Sequence, residues 1–544
     1  MSTTLRIRKV AVLGAGVMGA QIAAHLVNAN VDTVLFDLPS KEGDPNGIAN
    51  KAISNLAKLS PAPLALTARA AALTPANYDQ HLDLLRDCDL IIEAIAERID
   101  WKKDLYAKIA PHVAAHAILA TNTSGLSVNV LAEVLPAELH HRFCGVHFFN
   151  PPRYMHLAEL IPCAHTDAVV LDGLEGFLTT TLGKGVVRTK DTPNFIANRV
   201  GTFAMISTFH HTARLGLGLD IVDALTGAAI GRPKSGTYRL GDVVGLDTLG
   251  HVIRTLTTYL PSDPWHPHYQ IPEALARLVE KGALGQKTGA GFYRKQGKDI
   301  LVLDITAGDY RPSGQQPSDE VTAILKIREA GERLAKLRDS TDPQAQFLWS
   351  IQRDLFHYAA VHLADIADSA REVDFAMRWG YGWKQGPFES WQAAGWQQVA
   401  GWIKADIDAG KAMSSAPLPD WVFDGRSSVH SDAGSYSASS GMISARSSHP
   451  VYTRQLFPDA LLGESARTGT TLFENAGVRL WHAGDDIAVV SFLTKGNTVS
   501  DAVLDGLQES ISRAERDFAG LVIWQTTEPF SYGADLKGMA GFVQ

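Results

Sequence analysis

Residues 7–19 read Ile-Arg-Lys-Val-Ala-Val-Leu-Gly-Ala-Gly-Val-Met-Gly, and this stretch decides the fold. Its first half, 7–13, is short and rich in β-branched residues, which predicts a buried strand that glycine ends. Apolar residues at helical spacing follow in 20–26. A strand, a Gly-x-Gly-x-x-Gly turn and a helix in this order are typical of a dinucleotide-binding unit, although an ordinary tight glycine turn is the alternative.

The turn would let backbone N–H groups and a helix N-terminus approach a pyrophosphate. We therefore expect the cofactor to contact the residues of the turn, namely Gly14, Gly16, Val17, Met18 and Gly19. Asp37 ends a second predicted strand, 32–37, at a position where a carboxylate can accept hydrogen bonds from the adenosine ribose. Because the same carboxylate would repel a 2′-phosphate, it favours NAD over NADP.

Three further short apolar runs, at 89–95, 117–121 and 144–149, predict strands with helical stretches between them. This alternation predicts a Rossmann-type α/β domain with a doubly wound parallel sheet covered on both faces. Helical patterns dominate from about residue 194 to 412. Within them, 236–245 and 386–395 share glycine, aromatic and glycine residues at the same offsets, which indicates an all-α region of two related helical units.

The composition limits the possible partners. The chain has 544 residues, enough for about three to four domains. A net charge of −8 leaves no basic surplus for binding nucleic acid. The three cysteines predict neither a disulfide framework nor a structural zinc site, and no apolar run approaches the ~20 residues of a membrane span. We expect a cytoplasmic multidomain protein.

A second group of polar residues comprises 121–124, 147–151 and Glu159. Thr121 and His147 lie at or near the C-terminal ends of predicted strands, where doubly wound sheets bind their ligands. A histidine there can take the proton of an alcohol while hydride leaves the same carbon. Glu159 is a candidate for fixing its tautomer. A histidine that only satisfies core backbone groups is the alternative.

Residues 8–295 resemble the L-3-hydroxyacyl-CoA dehydrogenase family of fatty-acid β-oxidation. The shared stretches are 14–19, 93–97, 122–124, 147–151, 191–199 and 287–293. The resemblance implies NAD as cofactor, an acyl-CoA substrate, and reversible hydride transfer from C3 of a 3-hydroxyacyl-CoA to give the 3-oxoacyl-CoA. His147 would be the general base and Glu159 its orienting carboxylate, with Ser124 and Asn198 around the substrate 3-oxygen and the nicotinamide.

The resemblance also implies which further residues line the NAD site: Glu97, Lys102, Ser124, Asn150 and Lys287. Several of the residues named from the resemblance have a structural alternative. Asn198 could brace its helix, Glu97 and Lys102 could form a solvated pair, and Lys287 could simply be exposed.

Two stretches depart from the family pattern. Asn194 stands where glycine is usual, and asparagine tolerates left-handed backbone better than most residues. Residues 152–156, Pro-Arg-Tyr-Met-His, replace a more apolar stretch. Both departures would affect the acyl-CoA entrance, and so chain-length preference, rather than the base.

The second helical copy has Gln352 roughly where the first has Asn198, and no dinucleotide domain precedes it. We therefore predict a packing role for this copy. Its five tryptophans are better explained as core and interface anchors than as a ligand site. They are Trp379, Trp383, Trp391, Trp396 and Trp402.

Residues 530–538, Phe-Ser-Tyr-Gly-Ala-Asp-Leu-Lys-Gly, are similar to the first oxyanion-hole loop of the enoyl-CoA hydratase (crotonase) family. The backbone N–H of Ala534 would then point at a thioester oxygen, although an ordinary strand-to-loop turn is the alternative. In that family the second donor and the catalytic glutamates come later. We expect the chain to be the front portion of a larger bifunctional protein or to have been cut, with an incomplete crotonase-like α/β segment.

These observations predict five segments: a Rossmann domain 1–192, a helical dehydrogenase domain 193–296, a second helical copy 297–412, a serine-rich linker or surface tie 413–450, and a partial hydratase module 451–544. The predicted protein resembles the bacterial multifunctional β-oxidation enzymes, which implies a homodimer and a thiolase partner. A biosynthetic 3-hydroxybutyryl-CoA dehydrogenase and a non-catalytic dinucleotide-binding scaffold are the alternatives.

Overall fold

A computed structural model gives the fold and describes residues 6–453, 459, 461 and 467–536. The chain divides into two compact units, Met1–Arg446 and Ser447–Gln544. Nowhere in the described residues is a helix both long and apolar enough to cross a membrane.

The first unit begins with an eight-stranded sheet. Its strands are β1 (Lys9–Leu13), β2 (Asp32–Asp37), β3 (Leu73–Asn77), β4 (Leu90–Glu93), β5 (Ile118–Thr121), β6 (Phe143–Phe148), β7 (Leu157–Pro162) and β8 (Gly185–Arg188). The helices between them are α1 (Val17–Asn28), α2 (Gly47–Leu56), α3 (Ile99–Ile109), α4 (Val128–Glu133) and α5 (Ala168–Thr180).

The strand order is β3-β2-β1-β4-β5-β6-β7-β8, and the first six of these strands run parallel, which confirms the predicted Rossmann-type sheet. Strand β7 pairs antiparallel with β6, and β8 runs parallel to β7. The sequence did not predict β7, because β6 and β7 are joined by a short connection with no helix in it. This reversal brings the start of β7 beside the C-terminal end of β6.

The rest of the first unit is mainly helical, as predicted, but includes two small sheets. Its helices are α6 (Ala197–Leu215), α7 (Leu219–Thr226), α8 (Tyr238–Val244), α9 (Leu246–Tyr259), α10 (Glu273–Glu280), α11 (Asp319–Leu325), α12 (Ala330–Asp339), α13 (Pro343–Ile366), α14 (Ala370–Tyr381), α15 (Pro387–Ala393) and α16 (Trp396–Asp408). Its strands are β9 (Tyr293–Gln296), β10 (Asp299–Asp304), β11 (Asp309–Pro312), β12 (His430–Ser431), β13 (Gly434–Ser437) and β14 (Met442–Ser444).

The two helical units repeat one local arrangement. Asp223 of α7 accepts the backbone N–H groups of Thr237, Tyr238 and Arg239. Asp374 of α14 likewise accepts those of Phe388 and Glu389. In each unit a glycine lies so close to the aspartate that no Cβ would fit, Gly236 against Asp223 and Gly386 against Asp374. The faint sequence repeat therefore corresponds to a repeated aspartate cap over the start of a short helix.

The serine-rich stretch is folded over 413–446 and packs within the first unit rather than serving as a free linker. His430 is fully buried against Asp374, with Nε2 2.7 Å from the carboxylate. Arg426 lies over the ring of Tyr436 at 3.5 Å, and Tyr436 packs on Trp421. A few buried contacts supply the order that the composition does not predict.

The second unit contains a four-stranded sheet in sequence order. Its elements are α17 (Pro450–Thr453), β15 (Thr470–Glu474), β16 (Val478–His482), β17 (Ile487–Phe492), α18 (Asp501–Asp517) and β18 (Gly520–Ile523). Strands β17 and β18 pair in parallel, with α18 connecting them, as the predicted partial α/β segment requires.

Short 3-10 helices complete the chain, at Thr67–Ala72, Leu82–Asp87, Ala110–His112, Ala137–Arg142, Ala228–Ile230, His266–His268, Gln286–Thr288, Asp420–Phe423 and Lys495–Asn497.

Candidate active site

His147 and Glu159 form a hydrogen-bonded pair at the C-terminal edge of the sheet. The antiparallel pairing of β6 with β7 sets the two residues directly opposite each other. The distance from His147 Nδ1 to Glu159 Oε2 is 2.8 Å, and the residues are 3% and 0% exposed. Because a carboxylate only accepts, Nδ1 of the neutral imidazole carries the hydrogen and Nε2 keeps its lone pair.

The other oxygen of Glu159 is held by the helical region. Oε1 accepts the backbone N–H of Ile196 at 3.1 Å and that of Ala197 at 2.8 Å. These groups lie at the start of α6, where backbone donors have no partner within the helix and the helix dipole is positive. The buried carboxylate therefore has hydrogen-bond donors on both oxygens, and the pair joins the sheet to the helical region.

The turn before α6 is conformationally strained. Asn194 and Phe195 both adopt left-handed backbone, with φ of 64° and 52°. Asn194 confirms the tolerance predicted for that position, whereas a bulky residue such as Phe195 rarely takes this conformation. The ring of Phe195 lies 5.6 Å from the imidazole of His147, and Phe149 lies 4.5 Å from it, both centre to centre. The turn thus brings an aromatic ring and two backbone donors to the dyad together.

The glycine turn has the shape that a pyrophosphate requires. A Cβ on Gly14, whose φ is +103°, would lie 2.9 Å from the carbonyl oxygen of Ala94, and one on Gly19 would lie 1.8 Å from that of Gly14. Gly16 instead faces open space. Among the described residues, the N–H groups of Gly16, Val17 and Met18 have no acceptor. Open space beside unpaired donors at the start of α1 fits an anionic group of the cofactor.

Asp37 lies beside this turn. Its Oδ2 accepts the N–H of Ala15 at 2.6 Å, and its Oδ1 accepts the N–H of Leu38 at 2.7 Å. The half-buried carboxylate is therefore fixed at the end of β2, next to the glycine loop. Such a position fits an adenosine ribose and disfavours a 2′-phosphate.

Glu97 and Ser124 lie together on neighbouring loops. Glu97 accepts the hydroxyl of Thr123 at 2.7 Å and the backbone N–H of Ser124. The Ser124 hydroxyl has no partner in the described part of the chain. Asn122 links the same loop to the end of β6, because its side-chain oxygen accepts the N–H of Phe148 at 2.9 Å. The loops after β4 and β5 thus meet beside His147.

Lys102 is buried beside a carboxylate other than that of Glu97. It is 1% exposed, and its Nζ lies 2.6 Å and 2.7 Å from the two carboxylate oxygens of Glu93, which is fully buried. Thr121 and Tyr106 also donate to Glu93. Lys102 is therefore a buried partner of Glu93 rather than a solvated partner of Glu97, and its place in the NAD site stays a prediction. Glu93, at the end of β4, is the residue that sequence reasoning missed, although it lies in the shared 93–97 motif.

The remaining predicted residues are scattered. Asn150 is exposed and accepts the side-chain N–H of Gln21 at 3.1 Å, which places it beside α1. Asn198 lies in the first turn of α6, and its side-chain amide has no hydrogen-bond partner among the described residues. Lys287 pairs with Asp247 at 2.6 Å in the helical region, and both side chains are nearly half exposed. The structure does not join Lys287 to the other candidates.

In the second unit, Ala534 is exposed and bridges in parallel to Val499. Its own N–H has no acceptor within the described ranges, while its neighbours Gly533 and Asp535 bond to Val499. The last two residues of the predicted 530–538 loop, Lys537 and Gly538, lie outside the described residues.

Two family models match consecutive parts of the chain. Residues 9–192 match the 3-hydroxyacyl-CoA dehydrogenase NAD binding domain, and residues 195–295 match the 3-hydroxyacyl-CoA dehydrogenase C-terminal domain. A Bacillus subtilis (strain 168) protein named "Probable 3-hydroxyacyl-CoA dehydrogenase" is 35% identical over 556 residues, which cover 97% of this chain and 68% of that protein.

A Rickettsia felis protein with the provisional name of fatty acid oxidation complex trifunctional enzyme is 33% identical, over 99% of this chain and 70% of its own length. Among solved structures, the 3-hydroxybutyryl-CoA dehydrogenase of Escherichia coli K12 superposes with a TM-score of 0.57 at 23% identity. That alignment covers 75% of this chain and 95% of the other, and it supports the fold.

Proposed function

The chain belongs to the 3-hydroxyacyl-CoA dehydrogenase family of NAD-dependent oxidoreductases, and from this premise we propose that it oxidises (S)-3-hydroxyacyl-CoA to 3-oxoacyl-CoA in fatty-acid β-oxidation. The hydrogen bond of 2.8 Å between His147 and Glu159 carries the proposal. It leaves one imidazole nitrogen free to accept a proton at the edge of the sheet where this fold binds its ligands.

In this mechanism His147 is the general base. Its Nε2 takes the proton of the substrate 3-hydroxyl, and Glu159 holds Nδ1–H and stabilises the imidazolium that forms. Bound NAD would supply the acceptor for the hydride of C3. The rings of Phe149 and Phe195 shield the imidazole from water, and this strengthens its attraction to Glu159.

The other polar residues bind and orient. Ser124 and Asn198 each have a side-chain group without a partner among the described residues, and we assign these groups to the substrate 3-oxygen and the nicotinamide. The N–H groups of Gly16, Val17 and Met18 would hold the pyrophosphate. The residues proposed to line the rest of the cofactor site are Asp37, Glu97 and Asn150. Lys102 would contribute to the cofactor site through its pair with Glu93. A cofactor contact of Lys287 stays a prediction.

The decisive experiment compares His147→Gln with the unaltered chain. We expect acetoacetyl-CoA to oxidise NADH in the presence of the chain, followed at 340 nm. His147→Gln should lower kcat by about 100-fold or more, because the base is lost, while NADH binding stays within about twofold. His116→Gln is the matched control, since His116 is exposed and precedes β5 at the opposite edge of the sheet.

The same measurements separate the alternatives. A non-catalytic scaffold would bind NADH but show no turnover with any acyl-CoA. A series of 3-oxoacyl-CoA substrates of increasing length would distinguish an enzyme of fatty-acid oxidation from one that prefers the four-carbon 3-hydroxybutyryl-CoA. Full activity in His147→Gln would overturn the assignment of the base.

For the second unit we propose the start of a hydratase module, with the N–H of Ala534 as one donor to a thioester oxygen. Ala534 is the one donor that we assign among the described residues of this unit, and we expect no measurable hydration of crotonyl-CoA by residues 1–544. Detectable hydration would contradict this proposal. The homodimer and the thiolase partner are likewise proposals, which sedimentation and co-purification would test.

A further inference from the structure

The end of α14, in the second helical unit, reaches the elements that hold Glu159. Three consecutive residues, Trp379, Gly380 and Tyr381, each pack so closely on the first part of the chain that a Cβ added to the glycine at the contact would clash. We name this segment the 379–381 wedge. Its contacts lie on β7, β8 and α6. These are the strands beyond the reversal of the sheet and the helix whose first N–H groups bind Glu159.

Gly380 lies between the two segments that fix Glu159. A Cβ on Gly380 would lie 2.7 Å from the side chain of Leu157 and 3.5 Å from the Cβ of Ala197. Leu157 precedes Glu159 by two residues in β7, so both side chains point to the same face of the sheet. Ala197 supplies the shorter of the two backbone hydrogen bonds to Glu159, at 2.8 Å. Gly380 of α14 therefore packs against one residue in each of the two segments that hold this carboxylate.

The flanking wedge residues pack on glycines. A Cβ on Gly185, at the start of β8, would lie 2.4 Å from the ring of Trp379. A Cβ on Gly201, one turn into α6, would lie 2.0 Å from Cζ and 2.4 Å from the hydroxyl oxygen of Tyr381. The rings therefore occupy the space of missing side chains, and this geometry allows little movement of α6 against α14.

Tyr381 is also electrostatically linked to the dyad. Burial raises the pKa of its phenol to about 12, a hydrogen bond with Thr202 opposes the rise, and the nearby charge of Glu159 adds to it. Thr202 follows Gly201 in α6 and is 2% exposed. The phenol thus stays neutral and close to Glu159 without competing for its carboxylate oxygens, which His147, Ile196 and Ala197 occupy.

We propose that the 379–381 wedge is a positioning element of the dehydrogenase site: it presses the start of α6 against β7, so that Glu159 stays on the backbone N–H groups of Ile196 and Ala197 and holds His147 in its catalytic orientation. The second helical unit then has a role in catalysis beyond the packing role that its sequence predicts. The inference rests on the proposed function of His147 as general base. Tyr381 touches neither substrate nor cofactor in this account and acts through Glu159.

The test introduces a steric clash between α6 and α14 in one variant and removes it in a second. Gly201→Ala places a methyl group where the Tyr381 ring lies, so α6 must move away from α14. A displacement of about 1 Å can cost on the order of 10²-fold in rate. We expect kcat to fall about 10- to 100-fold, with KM for acetoacetyl-CoA and the dissociation constant of NADH within about threefold. In Gly201→Ala/Tyr381→Ala the clash is gone, and kcat should recover to within about threefold of Tyr381→Ala alone.

Two further variants complete the set. Tyr381→Phe keeps the ring and should retain kcat within about threefold, whereas Tyr381→Ala should lower it about 5- to 10-fold. Gly176→Ala is the matched control, because Gly176 is in helix α5 and nothing lies within 4 Å of an added Cβ. If Gly201→Ala does not fold, the contrast between Tyr381→Phe and Tyr381→Ala decides the question.

Unchanged kcat in both Gly201→Ala and Tyr381→Ala would overturn the inference. A loss of kcat in Gly201→Ala that comes with an equal loss of NADH binding and of thermal stability would also overturn it. So would a loss of kcat that Gly201→Ala/Tyr381→Ala does not relieve. The result of His147→Gln separates this failure from a failure of the proposed function. If His147→Gln is inactive while the wedge variants are normal, only the wedge proposal falls.

Discussion

Glu159 accepts the backbone N–H of Ala197 at 2.8 Å, so the carboxylate that orients His147 is itself held by the first turn of a helix outside the sheet. The proposed catalytic pair is therefore completed by the helical region. Three N–H donors, from His147, Ile196 and Ala197, share the two carboxylate oxygens of Glu159. All three hydrogen bonds form at once only when β6, β7 and α6 are in register. Several variants should reveal this arrangement.

Glu159→Gln should lower kcat about 10- to 1,000-fold, while NADH binding stays within about twofold. The neutral amide neither stabilises an imidazolium nor accepts from all three donors, and its NH₂ group would face a donor. Stopped-flow and steady-state reduction of acetoacetyl-CoA measure the loss. Glu138→Gln, at an exposed position, should behave as the unaltered chain. Normal turnover in Glu159→Gln would mean that the imidazole needs no carboxylate.

Asp37→Asn should weaken the preference for NADH over NADPH by about 10-fold. The substitution removes the charge that would repel a 2′-phosphate, and it disturbs the acceptor of the Ala15 N–H. The ratio of kcat/KM for the two reduced cofactors measures the change. Asp32→Asn, at the exposed start of β2, is the control. An unaltered ratio in Asp37→Asn would show that another residue discriminates between NADH and NADPH.

His357 should make the first unit less stable in acid. Burial lowers the pKa of its imidazole from 6.5 to about 4, and its Nε2 donates to the carbonyl of Ala416. A histidine whose pKa is lowered by folding contributes stability that is present above pH 6.5 and is lost as the pH falls toward 4. The expected loss is about 3 kcal/mol of unfolding free energy.

Urea unfolding at pH 7, 5.5 and 4.5 measures this effect. His357→Gln can still donate to Ala416 but does not titrate, so its unfolding free energy should fall less steeply with pH. His116→Gln should keep the full slope, because its side chain is exposed. Parallel pH curves for His357→Gln and the unaltered chain would contradict the prediction.

His430→Ala should release the serine-rich segment. It removes the imidazole that lies 2.7 Å from the buried carboxylate of Asp374, and leaving a buried polar group without a hydrogen-bond partner costs about 1–3 kcal/mol. We expect faster trypsin cleavage near Arg426 and a lower unfolding free energy. His116→Ala, an exposed histidine, serves as the comparison. Equal cleavage rates in the two variants would show that other contacts hold the segment.

Local chemistry made much of the fold predictable. The conformation of Gly14, with φ of +103°, and the open face of Gly16 follow from a turn whose requirements are met within a few residues. Asp37 ends β2 at the predicted residue. Asn194 takes the left-handed backbone that its residue type allows. The repeat of glycine and aromatic residues predicted two related helical units, and the structure adds the repeated cap by Asp223 and Asp374.

The contacts that complete the site were not predictable in this way. The residue that pairs with Lys102 turned out to be Glu93 rather than Glu97, because burial at the end of β4 decided which carboxylate its amine could reach. His430 lies against Asp374 in a segment that composition predicts to be a linker or a surface tie, and a few such buried contacts between distant residues supply its order.

The sequence by itself determined the glycine turn, the acid after it, the alternation of strands and helices, and the presence of a histidine and a glutamate suited to proton transfer. Only the tertiary structure decided that these two side chains meet, that a helix start holds the glutamate, and that α14 packs on β7, β8 and α6. The reason is that turn geometry and apolar periodicity act over a few residues. The contact of His147 with Glu159, the hydrogen bonds of Glu159 to the start of α6, and the packing of α14 on β7 and α6 instead depend on the reversed strand β7 and on close packing between distant segments.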